Sequence, residues 1–175
     1  SDGRNSISEM ADEAIRRGWS TLGITDHSAS LTVARGLTTE RHIAQFEELA
    51  PLQGHYADQE FALLAGLEAD ILQDGSLDCA PEILSQLHYV VASVHIRYKE
   101  TEAQMTERMC TAIAQPKTRI LGHPTGRLLG RREGYAVDMN VVIDAAVKHN
   151  VAIEINAGPE RMDLCDEWVR IGAGK

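Results

Sequence analysis

Thiols are scarce in this sequence. Its three cysteines, Cys79, Cys110 and Cys165, lie far apart with no C-x-x-C pair, which argues against a disulfide framework and against a zinc ribbon. Reduced thiols in a cytoplasmic protein are the simplest account. Long apolar runs are missing as well: none approaches the ~20 residues a membrane span needs, and the N-terminus does not have the shape of a signal peptide. Basic residues are outnumbered, 17 Lys and Arg against 26 Asp and Glu, for a net charge of −9. That balance speaks against a general nucleic-acid coat protein but leaves room for a local basic patch. No internal repeat, low-complexity segment or long Pro/Gly/Ser linker divides the chain. Its 175 residues, 43% hydrophobic and 25% charged, are read as a single domain over 1–175 with a real core.

What remains is an alternation of helical and strand-like segments. Ser8 to Arg17 has helical spacing and ends at Gly18, a plausible C-cap. "STLGIT" reads as a short buried strand running into Asp26 and His27. "TTERHIAQFEELAPLQ" starts with a threonine cap and sets Ile43, Phe46, Leu49 and Leu52 on roughly one face. "FALLAGLEADIL" is strand-like and leads into a "QDGS" turn. "LHYVVASVH" is a strand, "TEAQMTERMCTAIA" a helix stopped before Pro116, and "RILGH" a short strand. "DMNVVIDAAVKHN" is a helix with an aspartate cap, and "VAIEINA" a further strand. This order implies a mostly parallel sheet, or a barrel with helices outside, and in such folds ligands bind at the carboxyl ends of the strands.

Those ends carry chemistry. "GITDH" delivers Asp26 and His27, "AGLEAD" Glu68 and Asp70, "VASVH" His95, "ILGH" His123, and "AIEIN" Glu154 and Asn156. Imidazole with carboxylate and without thiolate suits zinc, manganese or iron. Asp26 and Glu154 are expected to orient a ligand by hydrogen bonding rather than to bind metal. His42, His55, His88 and His149 fall on helix faces or connections, where surface or packing roles fit better. After His123 the chain runs "PTGRLLGRREG", a loop whose Arg127, Arg131 and Arg132 offer guanidinium forks that match phosphate oxygens. Arg35, in "VARGL", is a further candidate at the site's mouth. "GRLLGRR" lacks P-loop spacing, and nothing around Ser93 suggests a nucleophile elbow.

The ordered set "SDGRNSISEM", "GITDHS", "GLEADILQDGSLD", "VVASVH" and "ILGHPTGRLLGRREGY" resembles the polymerase and histidinol phosphatase (PHP) superfamily. Within it, the last motif is most similar to the PHP domain at the C-terminus of bacterial X-family DNA polymerases. The resemblance implies an α/β fold, a distorted (β/α)7 TIM-like barrel, with up to three divalent metal ions at the strand ends. It implies Glu68 as a bridging carboxylate, His95 and His123 as its partners around a second metal, and Asp2 and His27 as ligands of a third. Glu68, His95 and His123 would be the catalytic set. A His-x-His pair before "SDG" and an Asp-x-His motif after "GAGK" are expected outside these residues, so the chain reads as an excerpt truncated at both ends of the domain.

The activity so implied is metal-dependent phosphate ester hydrolysis, with manganese as the usual ion and zinc or iron as alternatives. DNA 3′-end processing, of the 3′–5′ exonuclease or 3′-phosphatase type used in DNA repair, is expected, with a covalently linked upstream polymerase domain as a possible partner. Two other readings stay open: a free-standing phosphatase of the histidinol-phosphate kind, and a non-catalytic module that stabilises a polymerase. No membrane partner is expected.

Overall fold

The computed structural model describes residue 1 and residues 3–175, and its contacts divide the chain into two compact units. The first comprises Ser1–Glu68 and Cys79–Tyr89, the second Ala69–Asp78 and Val90–Lys175. Asp2, expected as a ligand, lies outside the described residues. Both units are built of parallel strands and helices, the α/β class that the alternation implies, and all the strand pairs within them run parallel.

In the first unit, helix α1 (Ile7–Arg16) begins at a capping box. The Ser6 hydroxyl accepts from Glu9 N–H, and the Glu9 carboxylate accepts from Ser6 N–H at 2.8 Å, an arrangement that satisfies two otherwise orphaned donors. Its buried residues Ile7, Ala11 and Ala14 follow the i, i+4, i+7 spacing of one helix face. Strand β1 (Thr21–His27) pairs with β2 (Ala62–Asp70) from Thr21↔Ala62 through to His27↔Glu68. Side chains alternate along a strand, so this register places His27 and Glu68 next to each other on one face at the carboxyl end.

Helix α2 (Thr39–Ala57) starts at the Thr38 cap and buries His42, Leu49 and Tyr56. Ile43, expected on the inner face, is instead 44% exposed. The true stripe repeats every seven residues, and Tyr56 anchors it by donating its hydroxyl proton to Asp12 at 2.7 Å. Helix α3 (Pro81–Gln86), which the alternating pattern does not announce, completes this unit.

In the second unit, β3 (Tyr89–Ser93, with Val90 onward belonging here), β4 (Thr118–Leu121) and β5 (Ala152–Ile153) pair through Ala92↔Leu121 and Leu121↔Ile153. Ile71, just past the end of β2, donates its N–H to Ser93 O at 2.8 Å. Helices α4 (Glu102–Ile113), α5 (Met139–His149) and α6 (Asp166–Ala173) complete it. Met105, Met109 and Ile113 of α4 pack with Val142, Ile143 and Ala146 of α5 and with Val94 and Leu121 in one buried cluster. Each large apolar side chain so buried contributes about 1.5–3 kcal/mol.

The strand expected over "VAIEINA" has only two residues. Glu154 N–H still reaches Leu121 O at 2.9 Å, but the Asn156 side-chain oxygen accepts from Gly158 N–H at 3.1 Å. An asparagine that bonds its own backbone two residues on forms a turn in competition with the ladder. Among the described residues, no helix is long and apolar enough to cross a membrane, and all three cysteines are free thiols.

Candidate functional site

Each unit brings part of the expected ligand set together. In the first, His27 Nδ1 lies 3.4 Å from Glu68 Oε2, both side chains about one-fifth exposed. Asp26 accepts a hydrogen bond from Gln45 Nε2 at 2.6 Å and pairs with the Ser1 amine. Burial works to raise its pKa, but these hydrogen bonds outweigh it and hold the carboxyl below its ordinary value. Arg35 is exposed and left-handed, at φ 56°, in the turn after His27.

In the second unit, His95 and His123 face each other with their Nε2 atoms 3.2 Å apart. His123 is 7% exposed and its φ is 25°, a conformation that costs an L-residue on the order of 1–3 kcal/mol and is found preferentially at functional sites. Two carboxylates hold it there. Glu154 Oε2 accepts the His123 N–H at 2.5 Å. Asp163, fully buried, accepts from Thr125 Oγ1 at 2.9 Å and from Gly126 N–H at 2.9 Å, which fixes the turn that follows.

His95 is oriented by Asp70, also fully buried. Asp70 Oδ1 accepts the His95 backbone N–H at 2.9 Å and lies 3.4 Å from Nδ1 of the same ring. The Asp70 carboxylate lies on the Nδ1 side of the ring, and Nε2 is turned toward His123.

These separations suit a metal ion. Two donors at 2.0–2.1 Å from a tetrahedral zinc stand roughly 3.3–3.4 Å apart, close to both the 3.2 Å nitrogen pair and the 3.4 Å His27–Glu68 pair. All four are hard or borderline donors without thiolate, the type that zinc, manganese and iron share.

The arginine-rich loop is less uniform than its sequence. Arg127 donates Nε to Arg161 O at 2.9 Å and Nη2 to Met162 O, so much of its fork is committed to backbone. Arg131 is exposed. Arg132 donates Nε to Gly126 O at 2.9 Å and lies over the Tyr98 ring, 4.2 Å from its centroid. Asp163 and Arg108 carry no sequence signal for the positions they support: Asp163 reaches back 38 residues to Thr125, and no local pattern encodes that pairing.

The profile of the PHP domain matches residues 1–158. The chain is 43% identical over 167 residues, 95% of its length, to the DNA polymerase/3′-5′ exonuclease PolX of Bacillus subtilis, and covers 29% of that protein. It is 31% identical over 156 residues to a probable phosphatase of Caldanaerobacter subterraneus, covering 87% of this chain and 56% of that one. It is 27% identical over 163 residues to the probable phosphatase YcdX of Escherichia coli, covering 87% of this chain and 58% of that one. The chain therefore spans between about a third and three-fifths of the curated relatives it matches.

Proposed function

The chain belongs to the PHP domain family, and from that premise we propose that it is a metal-dependent phosphoesterase acting on DNA 3′ ends. The observation that carries the reading is the pair of imidazoles at the ends of β3 and β4, with ring nitrogens 3.2 Å apart and flanking carboxylates that fix each residue. Divalent ions bound at such donors activate water and neutralise charge on a phosphoryl group.

In this reading His27, Glu68, His95 and His123 are the ligands, with Glu68 in the bridging role the resemblance implies, and Asp2 joins them from outside the described residues. Glu68, His95 and His123 form the catalytic set. Asp70 and Glu154 position His95 and His123, and Asp26 supports the segment that bears His27. Arg35 and Arg131 meet phosphate with exposed guanidiniums. Arg127 does so with Nη1, its other nitrogens being held by carbonyl oxygens. Manganese is the ion proposed, and no covalent nucleophile is needed.

A DNA substrate is supported by the polymerase/exonuclease relative, which is the more similar of those compared and spans more of the chain. The two probable phosphatases favour the second reading, hydrolysis of a small phosphate ester. The deciding experiment measures manganese-dependent release of nucleotide or phosphate from DNA 3′ ends beside release from histidinol phosphate, with His95→Ala as control. Activity on DNA that is lost in the variant supports the proposal. Activity on the small ester alone moves the assignment to a phosphatase, and silence on both with metal bound refutes the enzymatic reading.

A further inference from the structure

The two segments that follow His95 and His123 meet in a cleft that the metal ligands do not use. Arg97, Tyr98 and Lys99 line one side, and Arg132, Glu133, Gly134 and Tyr135 the other, around a volume of about 570 Å³. That size is in the range of small-ligand sites, roughly 300–1,000 Å³. Its cations outnumber its carboxylates three to one in a chain that is acidic as a whole. Arg97 and Lys99 are exposed.

Arg132 is held in place from two sides. Its Nε bonds Gly126 O at 2.9 Å, and its guanidinium carbon lies 4.2 Å from the centre of the Tyr98 ring. The Tyr98 ring is in turn nearly parallel to that of Tyr135, at 10°. The buried Arg108 pins the base of the first segment by donating Nη1 to Ile96 O at 3.3 Å. The cleft thus presents aromatic rings and one anchored guanidinium, with two exposed cations at its edge. That combination suits a nucleic acid strand: phosphates meet the free cations, while a base stacks on guanidinium or ring surface.

We propose that this cleft binds single-stranded DNA next to the scissile end, with Arg97 and Lys99 on phosphodiesters and the Arg132 guanidinium, backed by the Tyr98 ring, against a base. A small ester has one phosphate and no second residue to lay here, so occupancy of this cleft is what separates a polynucleotide substrate from a metabolite. The inference rests on the phosphoesterase reading for its purpose but not for its test, because binding is measured in EDTA, where hydrolysis plays no part.

The test is fluorescence anisotropy of a labelled oligodeoxythymidylate titrated with the protein at several salt concentrations. Each phosphate contact contributes about 0.7 to the slope of log affinity against log salt for a single strand, so Arg97→Gln/Lys99→Gln should lower that slope by about 1.4. The same loss weakens binding about 25-fold at 0.1 M salt. Arg132→Gln should also weaken binding, and circular dichroism of each variant reports whether the fold survives. Because Arg97 and Lys99 are exposed, the double variant keeps the test valid even if Arg132→Gln fails to fold. A control with two other exposed cations neutralised, Arg16→Gln/Arg17→Gln at the C-terminal end of α1, should match wild type. Equal slopes for wild type and the Arg97/Lys99 variant, or no binding by wild type, overturns the proposal.

Discussion

Replacing Arg108 by methionine should be among the most damaging single changes in this protein. The side chain is 1% exposed in the middle of α4. It donates Nε to Ile71 O at 3.1 Å and Leu72 O at 3.0 Å, Nη1 to Ile96 O at 3.3 Å, and Nη2 to Ile71 O. It also pairs with Glu100 at 3.2 Å, whose side chain is only 10% exposed. Methionine fills much of the volume but leaves a buried carboxylate without its counter-charge and takes the Arg108 donors from the Ile71 and Ile96 carbonyls.

Breaking a buried pair from one side costs about 3–5 kcal/mol, against a total stability of roughly 5–15 kcal/mol for an ordinary domain. With a urea dependence of about 2 kcal/mol per molar, the unfolding midpoint should drop by about 1.5–2.5 M. Adding Glu100→Gln to the variant removes the stranded charge, so the double variant should be more stable than Arg108→Met alone, a coupling of about 0.5–3 kcal/mol. Arg108→Lys should not rescue, because an ammonium cannot span acceptors that a planar fork reaches. A midpoint shift under about 0.5 M in Arg108→Met, or a double variant weaker than the single, would refute this account of the buried guanidinium.

Three further outcomes are expected. Asp163→Asn places an amide against the N–H groups of Thr125 and Gly126, so thermal unfolding should register a loss of about 2 kcal/mol or more and a loosened turn after His123. Gly36→Ala would put a methyl 1.8 Å from the Ser28 carbonyl oxygen, and chemical denaturation should show a loss of about 1–3 kcal/mol from overpacking against backbone. Burial holds the His42 imidazole below its ordinary value, with Asp26 opposing and Arg41 assisting. The unfolded chain therefore takes up a proton first as pH falls through about 6.5. Stability is full above that value and declines toward the depressed folded value, so the Tm should fall between pH 7 and 5 and flatten in His42→Phe; a wild-type Tm level across that window contradicts it.

The strand ends were legible because parallel α/β folds put their chemistry there, and because apolar runs that stop at a histidine or carboxylate mark those ends in one dimension. His27, Glu68, His95 and His123 could be picked out on that basis. Capping was equally readable at Thr38 and Asp138, since it depends on residues two or three apart. What escaped were interactions over long sequence separations. Arg108 looks like an ordinary solvent-facing helix residue until the segments after β2 and β3 are folded against it. Asp163 lies in an irregular loop, and its partners are 37 and 38 residues away. On α2 the buried stripe runs through His42, Leu49 and Tyr56 and leaves Ile43 outside, with Tyr56 paired to Asp12 in a contact that spans 44 residues. The arginine-rich loop gave its charge in sequence but not its division of labour. Arg127 is committed to backbone, whereas Arg132 is committed to a tyrosine.

The most direct test of the central claim is to strip the protein with a chelator and then measure phosphate release from an oligonucleotide 3′-phosphate as manganese is restored. The account predicts no release after chelation, recovery with added manganese, and no recovery in His123→Ala at any manganese concentration. Release that survives chelation undiminished, or that returns fully in His123→Ala, would contradict it.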